Sequence, residues 1–428
     1  MDTGDTAWVL TSTALVLFMT PGLAFFYGGM VRANHVLAML MQNFVAMGLM
    51  AVLWAVVGFT LAFGSFGDGG WLGSFEYFGL SGVGGEPGLG LTIPLVLFCA
   101  YQMTFAVITP ALITGATADR LKFSAYLIFT AAWLLLVYSP VAHWVFAGGW
   151  LAALGALDFA GGAVVHINAG AAALAVCMVL GPRRGWKREA MPPHSLPLTL
   201  IGTGILWFGW FGFNAGSALG ANGIAAQALM NTFLAASAGM LGWLVVERLR
   251  AGHATTLGAA SGAVAGLVAI TPCAGFVGGL SPIAIGFIAG AVCVLAVQLK
   301  FKAGFDDALD VVGVHLVGGL AGALLLGLFA DSSVNEVAAD GLLLGGGAGL
   351  LFDQLVASVV TLAYSFTVSY AIAKVLDLTI GIRVSDDQEL EGLDRSLHAE
   401  TAYVFAPGGG SLSGGTVAPT PQHEPVTD

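Results

Sequence analysis

Long apolar segments, separated by short polar loops, constrain this chain more than any other feature of its sequence. An apolar helix of about 20 residues spans the hydrocarbon core of a bilayer. Only 9% of the 428 residues are charged, whereas soluble proteins carry about 25% charged residues. The sequence therefore predicts an all-α polytopic membrane protein with eleven transmembrane helices. The spans lie near Trp8–Met30, Val36–Phe63, Leu91–Ala116, Phe123–His143, Gly161–Leu180, Leu196–Leu219, Ile224–Val246, Thr255–Ile270, Pro282–Leu299, Val311–Ala330 and Phe352–Val375.

The distribution of basic residues predicts the orientation of these spans. All 14 Lys and Arg residues fall in alternate loops or at and beyond the last span, and the opposite loops carry acidic residues. The positive-inside rule then places the N-terminus outside the cell membrane and the C-terminus in the cytoplasm. The first span is too long for a signal peptide and only acidic residues precede it, so we expect it to be retained.

Two similar segments, one in each half of the chain, indicate an internal repeat. In each, a Val precedes a His, a Gly follows the His by four residues, and an Asp precedes it by eight. The segments fall on the fifth and tenth spans, and because five is odd, the second half enters the membrane from the opposite face. This is the pattern of an inverted repeat. The residues are Asp158, Val165, His166 and Gly170 in the first half, and Asp307, Val314, His315 and Gly319 in the second.

This repeat predicts how the chain is organised. Two five-helix repeats are followed by a peripheral helix, a cytoplasmic regulatory segment and a disordered tail. The expected boundaries are 1–180 and 196–331 for the repeats, 342–377 for the eleventh helix, 378–400 for the regulatory segment and 401–428 for the tail.

The repeated histidines are predicted to meet near the middle of the membrane. Eight residues of helix place each His about 12 Å from its Asp, and the midplane lies about 15 Å from either surface. Two neutral imidazoles in an apolar channel line a path for a small polar solute or relay a proton. The alternative, that each ring only packs and satisfies a buried hydrogen bond, is less favoured because the arrangement is duplicated. The other six histidines, at loops, helix ends or the tail, receive no role: His35, His143, His194, His253, His398 and His423.

Other kinds of site have less support. No membrane Cys or Glu is spaced to complete a tetrahedral metal shell with the two histidines, so no metal and no cofactor are expected. An intramembrane enzyme would need a nucleophile or a metal triad, and the pair supplies only acid–base groups. The charge distribution, with a net charge of −11, excludes a nucleic-acid partner.

Five motifs, in order along nearly the whole chain, carry a resemblance to a known family. They are Pro21–Gly29, Asp158–Asn168, Trp210–Ser217, Gly313–His315 and Glu391–Asp394. They resemble the ammonium transporter (Amt/Mep/Rh) family, in particular its bacterial Amt-like members. The resemblance implies transport of ammonium or ammonia across the cell membrane by a homotrimer with one pore in each subunit.

The resemblance also implies roles for particular residues. His166 and His315 would be the twin pore histidines, and Phe105 and Phe213 the stacked gate at the outer mouth. Ser217, with the ring of Phe105, would bind ammonium outside that gate. Asp158 corresponds to the acid beneath this vestibule, which shapes the site or assists deprotonation, and Asp307 is its mate in the repeat.

One position departs from the family pattern. Many bacterial members carry a Trp at the outer site, where this chain aligns Phe146. Trp144 lies two residues earlier and cannot occupy the same place on a regular helix. Because Phe binds cations more weakly than Trp, the sequence predicts either weaker recruitment of ammonium at Phe146 or a shift of the loop that carries it.

The acidic segment after the last span resembles the family's C-terminal region, which contacts neighbouring subunits and in many bacteria docks a P-II signalling protein. Composition alone indicates a solvated acidic tail. The alternative to a transporter is an ammonium sensor that signals through a bound partner, because the tail is too short for an output domain of its own.

Overall fold

The computed structural model describes residues 1–403, and no β-strand occurs among them. Val404 to Asp428, which include most of the predicted tail and His423, lie outside the described residues. Within the described range the chain is a bundle of apolar helices joined by loops. This confirms the predicted all-α polytopic membrane fold.

Eleven helices, α1 to α11, follow the eleven predicted spans in order. Within residues 1–403, ten are long and apolar enough to cross a membrane, and the eighth is a shorter apolar helix. In chain order they are Thr3–Met30, Val36–Phe63, Leu95–Thr117, Phe123–Leu154 (interrupted after Phe146), Gly162–Leu180, Leu196–Ala218, Gly223–Ala251, Thr256–Ile270, Ser281–Ala303, Val312–Phe329 and Gly349–Thr379. The last begins at Gly349, later than the expected boundary at 342, because Leu342–Leu344 is only a 3₁₀ turn.

Both histidine helices, α5 and α10, begin with a widened π-helical turn. These turns, Gly162–Ile167 and Val312–Leu316, contain the two histidines. Single π turns inside helices are frequent at functional sites. Gly161, just before α5, has a φ of 122°, which side-chain-bearing residues rarely adopt, and this explains the Gly-Gly step in the motif. The two halves therefore share an irregular local geometry as well as a sequence pattern.

Close packing of α5 against α10 depends on a glycine. A Cβ added to Gly170 would lie 2.4 Å from the backbone N of Leu316. In a membrane, where burial of apolar surface does not drive helices together, small residues allow this approach and provide the packing. Gly170 therefore determines how near the two histidine helices can come.

The eleventh helix lies on the outside of the bundle. The Ser365 hydroxyl donates to the Asn168 carbonyl of α5 at 2.7 Å, and the Trp133 indole of α4 donates to Ser369 at 2.9 Å. On its opposite side, large apolar residues such as Phe352 are exposed. An exposed apolar face suits contact with lipid acyl chains.

After α11 the chain forms two short helices, α12 (Asp386–Glu391) and α13 (Leu393–His398), within the predicted 378–400 segment. They are held against the bundle. Asp394 Oδ1 accepts a hydrogen bond from the Ala38 N–H in the first turn of α2 at 2.8 Å, where a negative charge is favourable. The segment is therefore docked on the same face as the loops after α1 and α5, and is not a free tail.

Gly170→Ala tests the packing of the histidine helices. The added methyl would meet backbone atoms of Leu316, which cannot rotate away, so we expect a loss of about 1–3 kcal/mol of stability and a lower unfolding temperature in detergent. Gly48→Ala on the exposed side of α2 is the matched control, because no atom lies within 4 Å of its added Cβ. Equal unfolding temperatures for the two variants would contradict this account of the packing.

Candidate pore and outer vestibule

The two repeated histidines lie side by side in the centre of the bundle. Their Nδ1 atoms are 3.2 Å apart, their ring centroids are 5.3 Å apart, and both side chains are buried. One Nδ1 must carry a hydrogen and the other must accept it, because two bare nitrogens or two N–H groups do not bond. The structure thus brings together two residues separated by 149 positions.

A narrow, mostly apolar cavity surrounds this pair. Apart from the two imidazoles and the indole of Trp210, its lining consists of aliphatic side chains, the thioether of Met19 and two phenylalanine rings. The lining residues include Met19, Leu23, Phe26, Ile108, Leu112, Leu206, Phe213 and Val264. Such a lining disfavours a bare cation and leaves the imidazoles as the main hydrogen-bonding groups for a solute.

Two buried phenylalanines lie against the histidine pair. The rings of Phe105 and Phe213 have centroids 4.4 Å apart and are tilted by 41°, and each side chain is about 1% exposed. Phe213 also stacks on His166, with centroids 6.1 Å apart. In these positions, the two phenylalanine rings fill the space between the cavity around the histidines and the region beyond Phe105.

Beyond Phe105 lies an open vestibule with a volume of about 220 Å³. Its lining combines aromatic rings, a hydroxyl, an amide and a carboxylate, and includes Gln102, Phe105, Phe146, Asp158, Phe159 and Ser217. The Ser217 hydroxyl donates to the Phe213 carbonyl at 2.8 Å and keeps acceptor capacity on its oxygen. The vestibule is the most polar part of this path through the bundle.

The structure places Phe146 in the vestibule and Trp144 outside it. Trp144 packs against Trp71 and Trp150, and its indole donates to the Trp71 carbonyl at 2.7 Å. Trp144 is therefore not available to the vestibule.

Asp158 organises the start of α5. Its two carboxylate oxygens accept from four successive N–H groups, of Gly161, Gly162, Ala163 and Val164, at 2.6–3.2 Å. These are the orphan donors of a helix N-terminus. Burial raises the pKa of this carboxyl above its ordinary value, although the four N–H donors oppose that shift. Asp158 is thus a cap and also a wall of the vestibule.

Asp307 repeats this arrangement at the start of α10. Its carboxylate accepts from the N–H groups of Val311 and Val312 at 3.0 and 2.7 Å. Burial raises its pKa to about 6, and the nearby charge of Lys300 opposes the shift. The Lys300 ammonium also donates to the Asp307 backbone carbonyl at 2.7 Å.

Two histidines without a predicted role, His35 and His143, lie at helix ends as expected and are fully buried. His143 lies 2.9 Å from the Ala62 carbonyl and 3.3 Å from Asp68. His35 lies 3.8 Å from Asp119. Neither is near the pore pair. Within residues 1–403, no group of three His, Cys, Asp or Glu residues is placed to hold a metal ion.

Two residues beside His166 were missed by sequence reasoning. Trp210 stacks on the His166 ring with centroids 5.5 Å apart, and Thr271 Oγ lies 3.3 Å from His166 Nε2. Trp210 belongs to a motif but had no assigned role. Thr271 follows α8 with no signal in the sequence, because only tertiary packing brings it to the histidine.

Comparison with known proteins agrees with this geometry. The sequence model of the Ammonium Transporter Family matches residues 7–403. The chain belongs to this family. An ammonium transporter of Mycobacterium tuberculosis is 52% identical over 442 residues, which cover 96% of this chain and 92% of that protein.

Solved structures share the fold. The crystal structure of Candida albicans Mep2 superposes with a TM-score of 0.86 and 38% identity, covering 91% of this chain and 88% of that one. A structure named Sensor Amt Protein superposes with a TM-score of 0.84 and 27% identity, covering 91% and 97%. The chain is thus a multi-pass membrane protein that transports ammonium, and is not an enzyme.

Asp158→Asn tests the capping role of the Asp158 carboxylate at a nearly unchanged side-chain volume. The amide keeps the shape but presents an NH₂ group to some of the four N–H donors, so at least one is left without an acceptor. We expect the transporter to lose about 1–3 kcal/mol of stability, measured as a lower unfolding temperature, together with weaker uptake. Glu336→Gln on an exposed loop is the control. Unchanged stability in Asp158→Asn would show that the cap is dispensable.

Proposed function

We propose that the transporter binds ammonium in the vestibule, deprotonates it there and conducts ammonia past the phenylalanine pair and the histidine pair. The observation that carries this proposal is the order of the groups: a polar vestibule, then two phenylalanine rings packed against each other, then imidazoles in a hydrocarbon lining. A cation suits the first environment and a neutral solute suits the others. Ammonium, unlike potassium, can lose a proton and become neutral.

The vestibule supplies the groups that would hold the cation. The ring faces of Phe105 and Phe146 attract it, each by about 0.5–2 kcal/mol depending on desolvation. The Ser217 oxygen accepts one of its hydrogen bonds, and the carboxylate of Asp158 adds negative charge below. Because Asp158 already accepts four N–H bonds, we assign it chiefly to shaping the site and favouring positive charge, and leave assistance to deprotonation as a secondary role.

The phenylalanine pair would act as the gate. Phe105 and Phe213 are nearly inaccessible, so a solute passes only when the rings rotate. An apolar gate penalises a hydrated cation much more than ammonia. Past the gate, the hydrogen-bonded pair of His166 and His315 would accept hydrogen bonds from ammonia and return the released proton in parallel. Asp307 would hold the start of α10, as Asp158 holds α5.

Orientation and partners follow from the charges and the docked segment. We propose an external N-terminus and a cytoplasmic C-terminus, supported by the positive-inside rule.

We also propose a homotrimer whose 378–400 segment contacts neighbouring subunits and receives a P-II protein. The docked helices α12 and α13 support this role, because they contact the loops after α1 and α5. Native mass spectrometry tests the trimer, and co-purification with a P-II protein, compared with a chain truncated after Thr379, tests the partner.

The alternative function is an ammonium sensor that uses the same site without physiological flux. The similarity to the structure named Sensor Amt Protein keeps this alternative open. Flux measured on the purified protein distinguishes the two functions.

The main test records current and ammonia flux during ammonium pulses on proteoliposomes. We expect the wild type to give both signals. His166→Ala should abolish the current while retaining ammonia flux if the pair returns the proton, and Phe105→Ala should weaken selectivity for ammonium over potassium. If both substitutions leave uptake and current unchanged, the assignment of the pore is wrong; if the wild type gives neither signal, the sensor alternative is favoured.

Phe146→Trp tests the recruitment site. An indole face binds cations more strongly than a phenyl face, by an amount within the roughly 0.5–1 kcal/mol of an exposed contact. We therefore expect the concentration for half-maximal uptake to fall by about two- to fivefold with little change in maximal rate. Phe146→Leu should raise it, and Phe208→Trp, at an exposed position of α6 outside the vestibule, serves as the control. An unchanged half-maximal concentration in Phe146→Trp would remove Phe146 from the site.

A further inference from the structure

We infer that Thr271 fixes the hydrogen positions of the histidine pair, so that the two rings are not equivalent and His315 Nε2 is the open acceptor in the pore. This inference rests on the proposed function of the pair and makes it more specific. Its basis is the number of hydrogen bonds that one buried hydroxyl group, that of Thr271, can donate and accept.

The Thr271 hydroxyl has three neighbours and only one hydrogen to give. Its oxygen lies 3.0 Å from Trp210 Nε1, 2.8 Å from the Leu267 carbonyl and 3.3 Å from His166 Nε2. An indole N–H can only donate, so Thr271 accepts from Trp210. The single hydroxyl hydrogen therefore goes either to Leu267 or to His166.

The end of α8 decides between these two acceptors. At the C-terminus of a helix, the last carbonyls lose their intrahelical donors. The N–H of Thr271 is turned to the Val268 carbonyl at 3.3 Å, and Pro272, which follows, has no N–H to offer. The Leu267 carbonyl thus depends on the Thr271 hydroxyl, and a buried carbonyl left without a donor would cost free energy. We assign the hydroxyl hydrogen to Leu267, at the shorter of the two distances.

The hydrogen position on Thr271 determines the hydrogen positions on both histidines. Thr271 has one acceptor position left, so His166 must donate to it from a protonated Nε2. A neutral imidazole has one N–H, so His166 Nδ1 is bare and accepts from His315 Nδ1 across 3.2 Å. His315 then carries its hydrogen on Nδ1, and its Nε2 is bare.

The two imidazoles therefore have different roles in the pore. Both nitrogens of His166 are engaged with protein partners. Among residues 1–403, His315 makes its side-chain hydrogen bond through Nδ1, which leaves Nε2 without a partner there, and the ring lines the cavity. An ammonia molecule donates its N–H to His315 Nε2, and a proton that reaches the pair binds the lone pair of that nitrogen first, with no bond broken. Thr271 is a positioning residue and does not touch the solute.

The test is solid-state NMR of the full chain, labelled with ¹⁵N-histidine, in lipid bilayers. The Nδ1–Nδ1 correlation across the short contact identifies the pair among the histidines, and the ring signals lost in His315→Ala assign each ring of the pair to its position in the chain. We expect His166 with a protonated Nε2 and a bare Nδ1, and His315 with the reverse. The opposite pair of tautomers, or an equal mixture, in the wild type overturns the inference, whatever the variants do.

Substitutions then test the role of Thr271. Thr271→Val keeps the shape and removes the acceptor, so the other His166 tautomer should become populated, and Thr271→Ser should restore the wild-type signals. Thr203→Val is the matched control, because Thr203 makes the same kind of bond, to the Thr199 carbonyl at 2.8 Å, away from the pair. Wild-type tautomers in Thr271→Val would overturn the inference.

Transport measured on the same samples separates this inference from the proposed function. If the tautomers change in Thr271→Val and the current changes with them, both stand. If the tautomers change but flux and current match the wild type, the assignment of Thr271 stands and the proposed proton-handling role of the pair fails.

Discussion

The hydrogen bond between His166 and His315 is the interaction on which the rest of the pore depends. A polar group at the centre of a bilayer is tolerated only if it has partners, and these two imidazoles are partners for each other at 3.2 Å. The bond requires α5 and α10 to approach closely, which Gly170 permits because it has no side chain. Aspartates at the starts of both helices hold their positions by accepting backbone N–H groups. The short contact between His166 and His315 thus depends on the aspartate caps at the starts of α5 and α10.

The two halves are also joined at the side of the bundle where the basic residues cluster. The buried guanidinium of Arg120 donates to the Gly181 and Asp306 carbonyls at 2.8 and 2.6 Å, and Arg183 binds the Asp306 carboxylate at 2.9 Å. Such buried charges are costly unless they are fully paired. Because Asp306 immediately precedes Asp307, these contacts tie the start of α10 to the end of α5. The docked helices α12 and α13 lie on the same side, so a partner bound there would act close to both histidine helices.

Much of this arrangement could be predicted from the sequence. The helix count follows from hydropathy, the repeat and the meeting of the histidines follow from spacing, and the position of Phe146 at the outer site follows from the family resemblance. Other features could not be predicted. The burial of His35 and His143 beside carboxylates has no local signal in the sequence. Thr271 contacts His166 from 105 positions away, and no local pattern marks it.

The sequence by itself determined the membrane class, the two-fold repeat and the family, because hydropathy, spacing and ordered motifs are local properties that survive without coordinates. Only the tertiary structure decided which groups touch in the pore: which imidazole lies against Thr271, how the Phe105 and Phe213 rings pack beside it, and where the C-terminal segment docks. Those choices depend on distances between helices far apart in the chain. In a lipid-embedded bundle, packing of small residues sets these distances to within a few ångströms. The direction of each hydrogen bond then depends on which donors and acceptors have no other partner.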